Sequence, residues 1–229
     1  MRLYWNCGDC YGFVFTRTDS QGEEITRSGS GNNYIDNSVK LGETYTYSVR
    51  PILWNGTGNA AEVSVVVPKE IQIPPAGPKP EISITSLKPV SATCGWGTYK
   101  VNKSIVDKPM VIDGQPYSDG IGVHASSSVV YEIPENSARF VATVGLDDNP
   151  QALEKRSVTA QIWTDVCEMG EKEVFIAESP RLSNSTVKMW RFNLPLDIRA
   201  KRIKLKITDA SDGIDSDHAD WVDAGFLTK

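Results

Sequence analysis

Residues 208–225, TDASDGIDSDHADWVDAG, hold six aspartates, Asp209, Asp212, Asp215, Asp217, Asp220 and Asp223, without a Lys or Arg, and set His218 and Trp221 among them. Carboxylates this close repel one another, so the run needs a cation, backbone N–H groups or water to offset its charge. A solvated loop closing a sandwich is the plain alternative. The only other histidine, His124, stands in GIGVHA; Asp147 and Asp148 stand in VGLDD, and Trp96 in GWG.

A metal is the first chemistry to weigh. The spacing of Asp212, Asp215, Asp217 and Asp220 does not fit an EF-hand loop, which needs oxygens at alternate positions, a Gly at the sixth and a Glu at the twelfth. An irregular structural calcium site remains open, with Asp223 as its candidate ligand. Zinc is disfavoured, because the two histidines have no paired cysteines near them. Catalysis is the second. Carboxylate pairs abound, and Asp147 or Asp148 with Asp220 would be the pair of a small hydrolase. One acidic end of a small domain offers little concave surface to desolvate a proton donor, and neither GxSxG nor HExxH is present. A sugar site is the third. Sugars offer C–H faces to aromatic rings and hydroxyls to charged groups, and Trp96, Trp221, His124, His218 and the aspartates supply both. Each has a structural alternative: a Trp in a sandwich is commonly core, and a His before a strand commonly fixes a loop.

The elements that must position these residues read as β throughout. Helix-period apolar runs are nearly absent, and Val, Ile, Thr and Tyr recur in short alternating blocks broken by Gly, Pro, Asn and Asp. A first domain, 1–68, shows strands at 2–6 and 11–16 joined at a Gly-Asp turn, a short extended piece at 34–36, and strands at 44–49 and 62–67. Trp5, the VKLGETYTYSV run with Tyr45 at a tyrosine corner, and the valine-rich last strand resemble a fibronectin type III domain whose first strand is missing. That resemblance implies a spacer. Residues 69–80 are proline-rich and read as a stiff linker.

The second domain, 81–229, shows strands at 128–133, 139–145, 157–163, 173–177, 187–194, 201–208 and 221–227. No helices lie between them to make parallel crossovers, so the sheets are expected to be antiparallel. The short turn at 134–137 joins 128–133 and 139–145 side by side as a hairpin, so His124 and Asp147-Asp148 share one end of the sandwich, which leaves the 209–220 loop one of two ends to occupy.

Composition narrows the partners. A net charge of −5 argues against a nucleic-acid backbone, and the densest basic run, 199–206, alternates with apolar residues as a strand face would. No apolar run approaches the roughly 20 residues that span a bilayer. No signal peptide precedes RLYWNC, so the chain reads as a piece of a longer protein. Cys7 and Cys10 form a lone CGDC that is weak as a zinc motif and admits a local disulfide, while Cys94 and Cys167 are isolated.

Four ordered blocks, SLKPVSATCGWGTYKVNKSI, GQPYSDGIGVHASSSVVYEI, RFVATVGLDD and ITDASDGIDSDHADWVDAGF, resemble the NPCBM domain, carbohydrate-binding module family 51, over nearly all of 86–227. The resemblance implies a jelly-roll β-sandwich that binds galactose or blood-group-type galactosides. It implies a non-catalytic accessory module of a secreted or cell-surface bacterial glycoside hydrolase or mucin-active enzyme. Trp96, His124, Asp147, Asp148, His218, Asp220 and Trp221 match motif positions and are its candidate sugar residues. SDG at 211–213 replaces an expected GDG, and Leu146 an expected Val. The rival reading is an adhesion module without sugar affinity.

Overall fold

The structure, a computed structural model, describes residues 2–5, 10–30, 33–36, 38–149, 156–165 and 173–229. The chain divides into two compact units, Met1–Ile71 and Gln72–Lys229. Both are β structures; the one helical element among the described residues is a short 3-10 turn, Ile84–Ser86. No helix among them is long and apolar enough to cross a membrane.

The first unit contains β1 (Arg2–Tyr4), β2 (Gly12–Asp19), β3 (Glu24–Gly29), β4 (Asn33–Ile35), β5 (Thr44–Leu53), β6 (Gly56–Thr57) and β7 (Ala61–Val66). Strand β5 pairs with β2, β6 and β7, and β3 extends the sheet beyond β2. The expected pairing of the first two strands does not form: β1 pairs with β4. Trp5, just past β1, lies across the interior from that sheet, with its ring 5.2 Å from Phe13 and 6.3 Å from Phe15. Burying those aromatics needs a layer above β2, not a neighbour beside it. Tyr45 and Tyr47 complete this core with Phe15 and Val67. The Tyr45 hydroxyl accepts the Lys40 N–H at 3.0 Å, and the Tyr47 hydroxyl donates to Asp36. Cys7 and the Gly-Asp turn lie outside the described residues, and so therefore does any Cys7–Cys10 bond.

The second unit contains β8 (Ile82–Ser83), β9 (Ser91–Thr93), β10 (Lys100–Val101), β11 (Met110–Ile112), β12 (Gln115–Tyr117), β13 (Gly120–His124), β14 (Ser127–Glu132), β15 (Ser137–Leu146), β16 (Ser157–Asp165), β17 (Glu173–Glu178), β18 (Leu182–Ser183), β19 (Met189–Pro195), β20 (Arg202–Thr208) and β21 (His218–Thr228). One sheet runs β10-β13-β21-β15-β19 with β8 on β21; the other runs β17-β16-β20-β14-β9 with β18 on β16. Every pairing within them is antiparallel, as expected. Between the sheets lie Val129, Tyr131, Phe140, Val144, Ile162, Ile203, Leu205, Trp221 and Phe226.

Two expectations change here. Strands β14 and β15 do not form a hairpin, because they belong to different sheets and the turn between them is an arch across the sandwich. Val129 and Tyr131 on one, Phe140 and Val144 on the other, face the same interior, which an arch achieves and a side-by-side pair does not. The proline-rich segment is also not a free spacer throughout. From Gln72 it belongs to the second unit: Ile73 packs with Met110, Ile112, Met189 and Val222, and the Pro74 carbonyl accepts from Arg191 Nη1 at 3.2 Å. Proline lacks a donor for a ladder, yet its carbonyl still accepts.

Trp221 has no exposed surface and stacks on Phe192 at 6.1 Å. Trp221→Ala is expected to cost about 3–5 kcal/mol through lost burial and the cavity left behind. Denaturant unfolding measures it, and a loss below about 1 kcal/mol would contradict a core role.

Candidate functional site

The site is built where β13 ends and β21 begins. Their antiparallel register sets His124 opposite His218, and β15 lies on the other side of β21 with Leu146 opposite Ala219. The Asp147 N–H then donates to the His218 carbonyl at 3.1 Å. The shared end expected for His124 and Asp147 therefore exists, reached through β21 and not through a hairpin, and His218 lies at the same end. The GIGVH strand itself is buried at every position, so it has no alternation to reveal it.

Trp96 is carried over these rings by its flanking glycines. A Cβ on Gly95 would sit 2.2 Å from the Ala125 carbonyl oxygen, so only glycine lets this loop lie against the end of β13. Gly97 follows with φ +65°, a turn that other residues resist. The Trp96 ring lies 6.0 Å from His218, nearly parallel to it, and 5.7 Å from His124; the two imidazoles are 5.2 Å apart, edge to face. These three side chains and Ile214, Asp215 and Ser216 line an open cavity of about 240 Å3. Trp96 keeps 55% of its surface exposed, an indole face available to a ligand.

The histidine protonation follows from their surroundings. His124 Nδ1 lies 2.6 Å from the Ala125 carbonyl, which can only accept, so Nδ1 carries a proton and donates to it. Burial, then the neighbouring His124, holds His218 below its ordinary pKa of 6.5. A His218 ring whose uncharged form is favoured suits an uncharged, hydroxyl-rich ligand.

Residues 81–227 match the NPCBM/NEW2 domain family. The chain belongs to that family. An alpha-1,3-galactosidase B of Akkermansia muciniphila is 28% identical over 134 residues, which are 58% of this chain and 16% of the galactosidase. Among solved structures, the second family 51 carbohydrate-binding module of Clostridium perfringens ZmpB, crystallised with its INT domains and GlcNAc, is 25% identical. It superposes with a TM-score of 0.55 over 84% of this chain and 38% of that one. The family 51 module of a C. perfringens GH95 protein, in complex with methyl-galactose, shares the fold at 24% identity. Its TM-score is 0.54, over 64% of this chain and 99% of that one.

Within the NPCBM/NEW2 domain the seven candidate residues separate into two groups. Trp96, His124 and His218 meet at the cavity. The other four do not line it. Trp221 points into the core. Asp147, with no exposed surface, accepts the Asn149 N–H at 2.7 Å; Asp148 accepts the Gly114 N–H at 2.7 Å and pairs with Arg156 at 3.6 Å. Asp220 is fully buried with its carboxyl toward that of Asp147. Burial, followed by the nearby Asp147 carboxyl, raises its pKa well above 3.8 and favours its protonated form, while neither of its carboxyl oxygens has a hydrogen-bond partner among the described residues.

Sequence reading missed the anchors behind the site. Arg156 is buried, donates to the Asp147 carbonyl and reaches Asn184; Ser157 holds Asp212 and Asp217. These partners lie up to 60 residues apart, and no local pattern marks them. Asp223 sits at a bulge with φ +44°, its N–H donating to the Asp119 carbonyl, while the Asp119 carboxylate is taken up by Ser83 and Thr85 hydroxyls. Among the described residues no three His, Cys, Asp or Glu side chains converge as a metal site.

The His218 shift has a measurable sign. Below pH 6.5 the unfolded chain takes up a proton at this ring that the folded domain resists, so His218 should subtract stability as pH falls. Ring-proton NMR should place its midpoint below 6.5. A midpoint above that value would show a charged, not a neutral, site.

Proposed function

We propose that this chain carries a non-catalytic carbohydrate-binding module that holds galactose-containing glycans in the cavity formed by Trp96, His124 and His218. The convergence of these three rings beside Asp215 and Ser216 carries the reading. The half-exposed indole offers a flat apolar face for the C–H side of a pyranose, as aromatic platforms do. The imidazoles meet ring hydroxyls through their Nε2 atoms, since His124 Nδ1 is taken by the Ala125 carbonyl and His218 Nδ1 is buried, and Asp215 supplies a charge-assisted acceptor. Buried Asp147, Asp220 and Trp221 brace the floor without touching sugar. Asp148, tied to Gly114 and Arg156, acts from outside the cavity wall.

Galactoside over other sugars is favoured by the relationship to the Akkermansia galactosidase, of which this chain spans 16%. The GlcNAc complex of the ZmpB module makes that amino sugar the competitor to test. A shallow site of this kind binds at roughly micromolar to millimolar Kd. Its use is proximity: tethered to a catalytic domain outside the cell, it raises that domain's effective concentration at glycan surfaces.

Calorimetry with methyl-galactoside and GlcNAc, run with calcium and with EDTA, tests the reading. Galactoside should bind in both buffers. Trp96→Ala should weaken binding at least tenfold, about 1.4 kcal/mol, with the melting temperature little changed. Silence toward galactose-containing glycans across an array would favour a protein adhesion module. Turnover of aryl galactosides, abolished by Asp220→Asn, would favour an enzyme.

A further inference from the structure

We propose that Asp217 is a positioning residue for the sugar cavity, its buried carboxyl group acting as a proton-dependent latch that holds residues 214–218 against the sandwich. The effect on affinity rests on the sugar-site reading; the latch itself does not.

The wall it holds is one that would not stand alone. Ala210, Ser211 and Ser216 have φ of 46°, 70° and 63°, a region that residues with a Cβ disfavour. The loop therefore depends on outside anchors. Ser157, the first residue of β16, provides two. Its N–H donates to Asp217 Oδ1 at 2.8 Å, and its hydroxyl donates to both Asp212 oxygens at 2.9 and 3.0 Å. The Asp217 carbonyl accepts the Ala125 N–H at 3.1 Å, tying the same residue to the end of β13. Ile214, Asp215 and Ser216, three of the cavity's six lining residues, span the gap between these anchors.

Asp217 has no exposed surface, and its Oδ2 has no hydrogen-bond partner among the described residues. The charges that face it are set against ionisation. Asp209 and Asp212 on its own loop repel a carboxylate. Arg181, across from them, is half-exposed and pairs with Asp212. Arg156, beside Ser157, is spent on the Asp147 carbonyl, Asp148 and Asn184. His218 is held by burial below its ordinary pKa, which favours its uncharged form. Burial, followed by the two aspartates, pushes the Asp217 pKa up to about 7.

The sign follows by linkage. Opening the loop exposes Asp217 and returns it to its ordinary pKa of 3.8. Between these values the open form loses a proton that the closed form retains. The open-to-closed ratio then rises by up to tenfold per pH unit from about pH 4 to about pH 7 and is flat above. Acidification closes the latch; alkaline pH releases it.

Hydrogen-exchange protection factors for residues 210–218, measured from pH 5 to pH 8 on the intact chain without sugar, test the latch. In the native chain they should fall toward pH 7 and then level. Asp217→Asn keeps an acceptor for the Ser157 N–H and cannot ionise, so its protection should be independent of pH. Asp212→Asn removes a repelling charge and should move the native midpoint to lower pH. A pH profile in Asp217→Asn equal to the native one, or a midpoint unmoved by Asp212→Asn, overturns the latch. Methyl-galactoside titrations at pH 5.5 and pH 8 add the second readout: affinity should fall at pH 8 in the native chain and not in Asp217→Asn. If the exchange profile behaves as expected and no galactoside binds, the latch stands and the sugar reading falls. If galactoside binds with the same pH dependence in both proteins, the latch falls and the sugar reading stands.

Discussion

The two-residue repeat of β21 is the constraint on which the second unit depends. Ala219 and Trp221 point into the space between the sheets, and His218 and Asp220 point away from it. One strand thus fastens the core and floors the site, and a slip of one residue would exchange the two sets. The strand pairs with β13, β15 and β8, so its register is over-determined. This is why a Trp adjacent in sequence to site residues serves as core, while the exposed indole comes from Trp96, far away in the chain.

The acidity of residues 208–225 has the same structural origin. Asp209 caps a turn through the Ser211 N–H, Asp212 takes the Ser157 hydroxyl and Arg181, Asp217 takes the Ser157 N–H, and Asp220 meets Asp147. Backbone and hydroxyl donors and one arginine offset part of that charge, and burial favours the protonated form of Asp220. Asp215 alone of this set lines the cavity. A run of like charges is therefore ambiguous until each carboxylate is assigned a donor.

Much of the fold was legible where one face of a strand is more deeply buried than the other, as in β5, β14 and β20. Alternation located β5, β14, β15, β16, β20 and most of β21, and the absence of helical periods gave antiparallel sheets. What alternation could not show was β13, buried on both faces, or β3, where Ile25 is the one residue less than fully exposed. Pairing across the sandwich was not legible either: a short turn between apolar strands is compatible with a hairpin or an arch, and only the shared interior chooses. At the site, His124 and His218 were marked by their scarcity, and Trp96 by its glycines. Arg156 and Ser157 carry no such mark, since serine and arginine are ordinary at a strand start and their partners are distant in sequence.

The unsatisfied polar atoms say where stability was given up. Asp217 Oδ2, His218 Nδ1, both carboxyl oxygens of Asp220 and Trp221 Nε1 are buried without hydrogen-bond partners among the described residues, and all fall within five consecutive positions. Each such group costs about 1–3 kcal/mol, against a typical domain stability of 5–15 kcal/mol. A segment carrying that load persists only because the adjoining strand contributes Trp221, Ala224 and Phe226 to the core. The core, in turn, cannot be the reason for the polar groups, since apolar residues would fill the same volume at less cost. Of the residues carrying these atoms only His218 lines the cavity, so the cost falls on the segment that supports its wall and floor and not on the surface a ligand would meet.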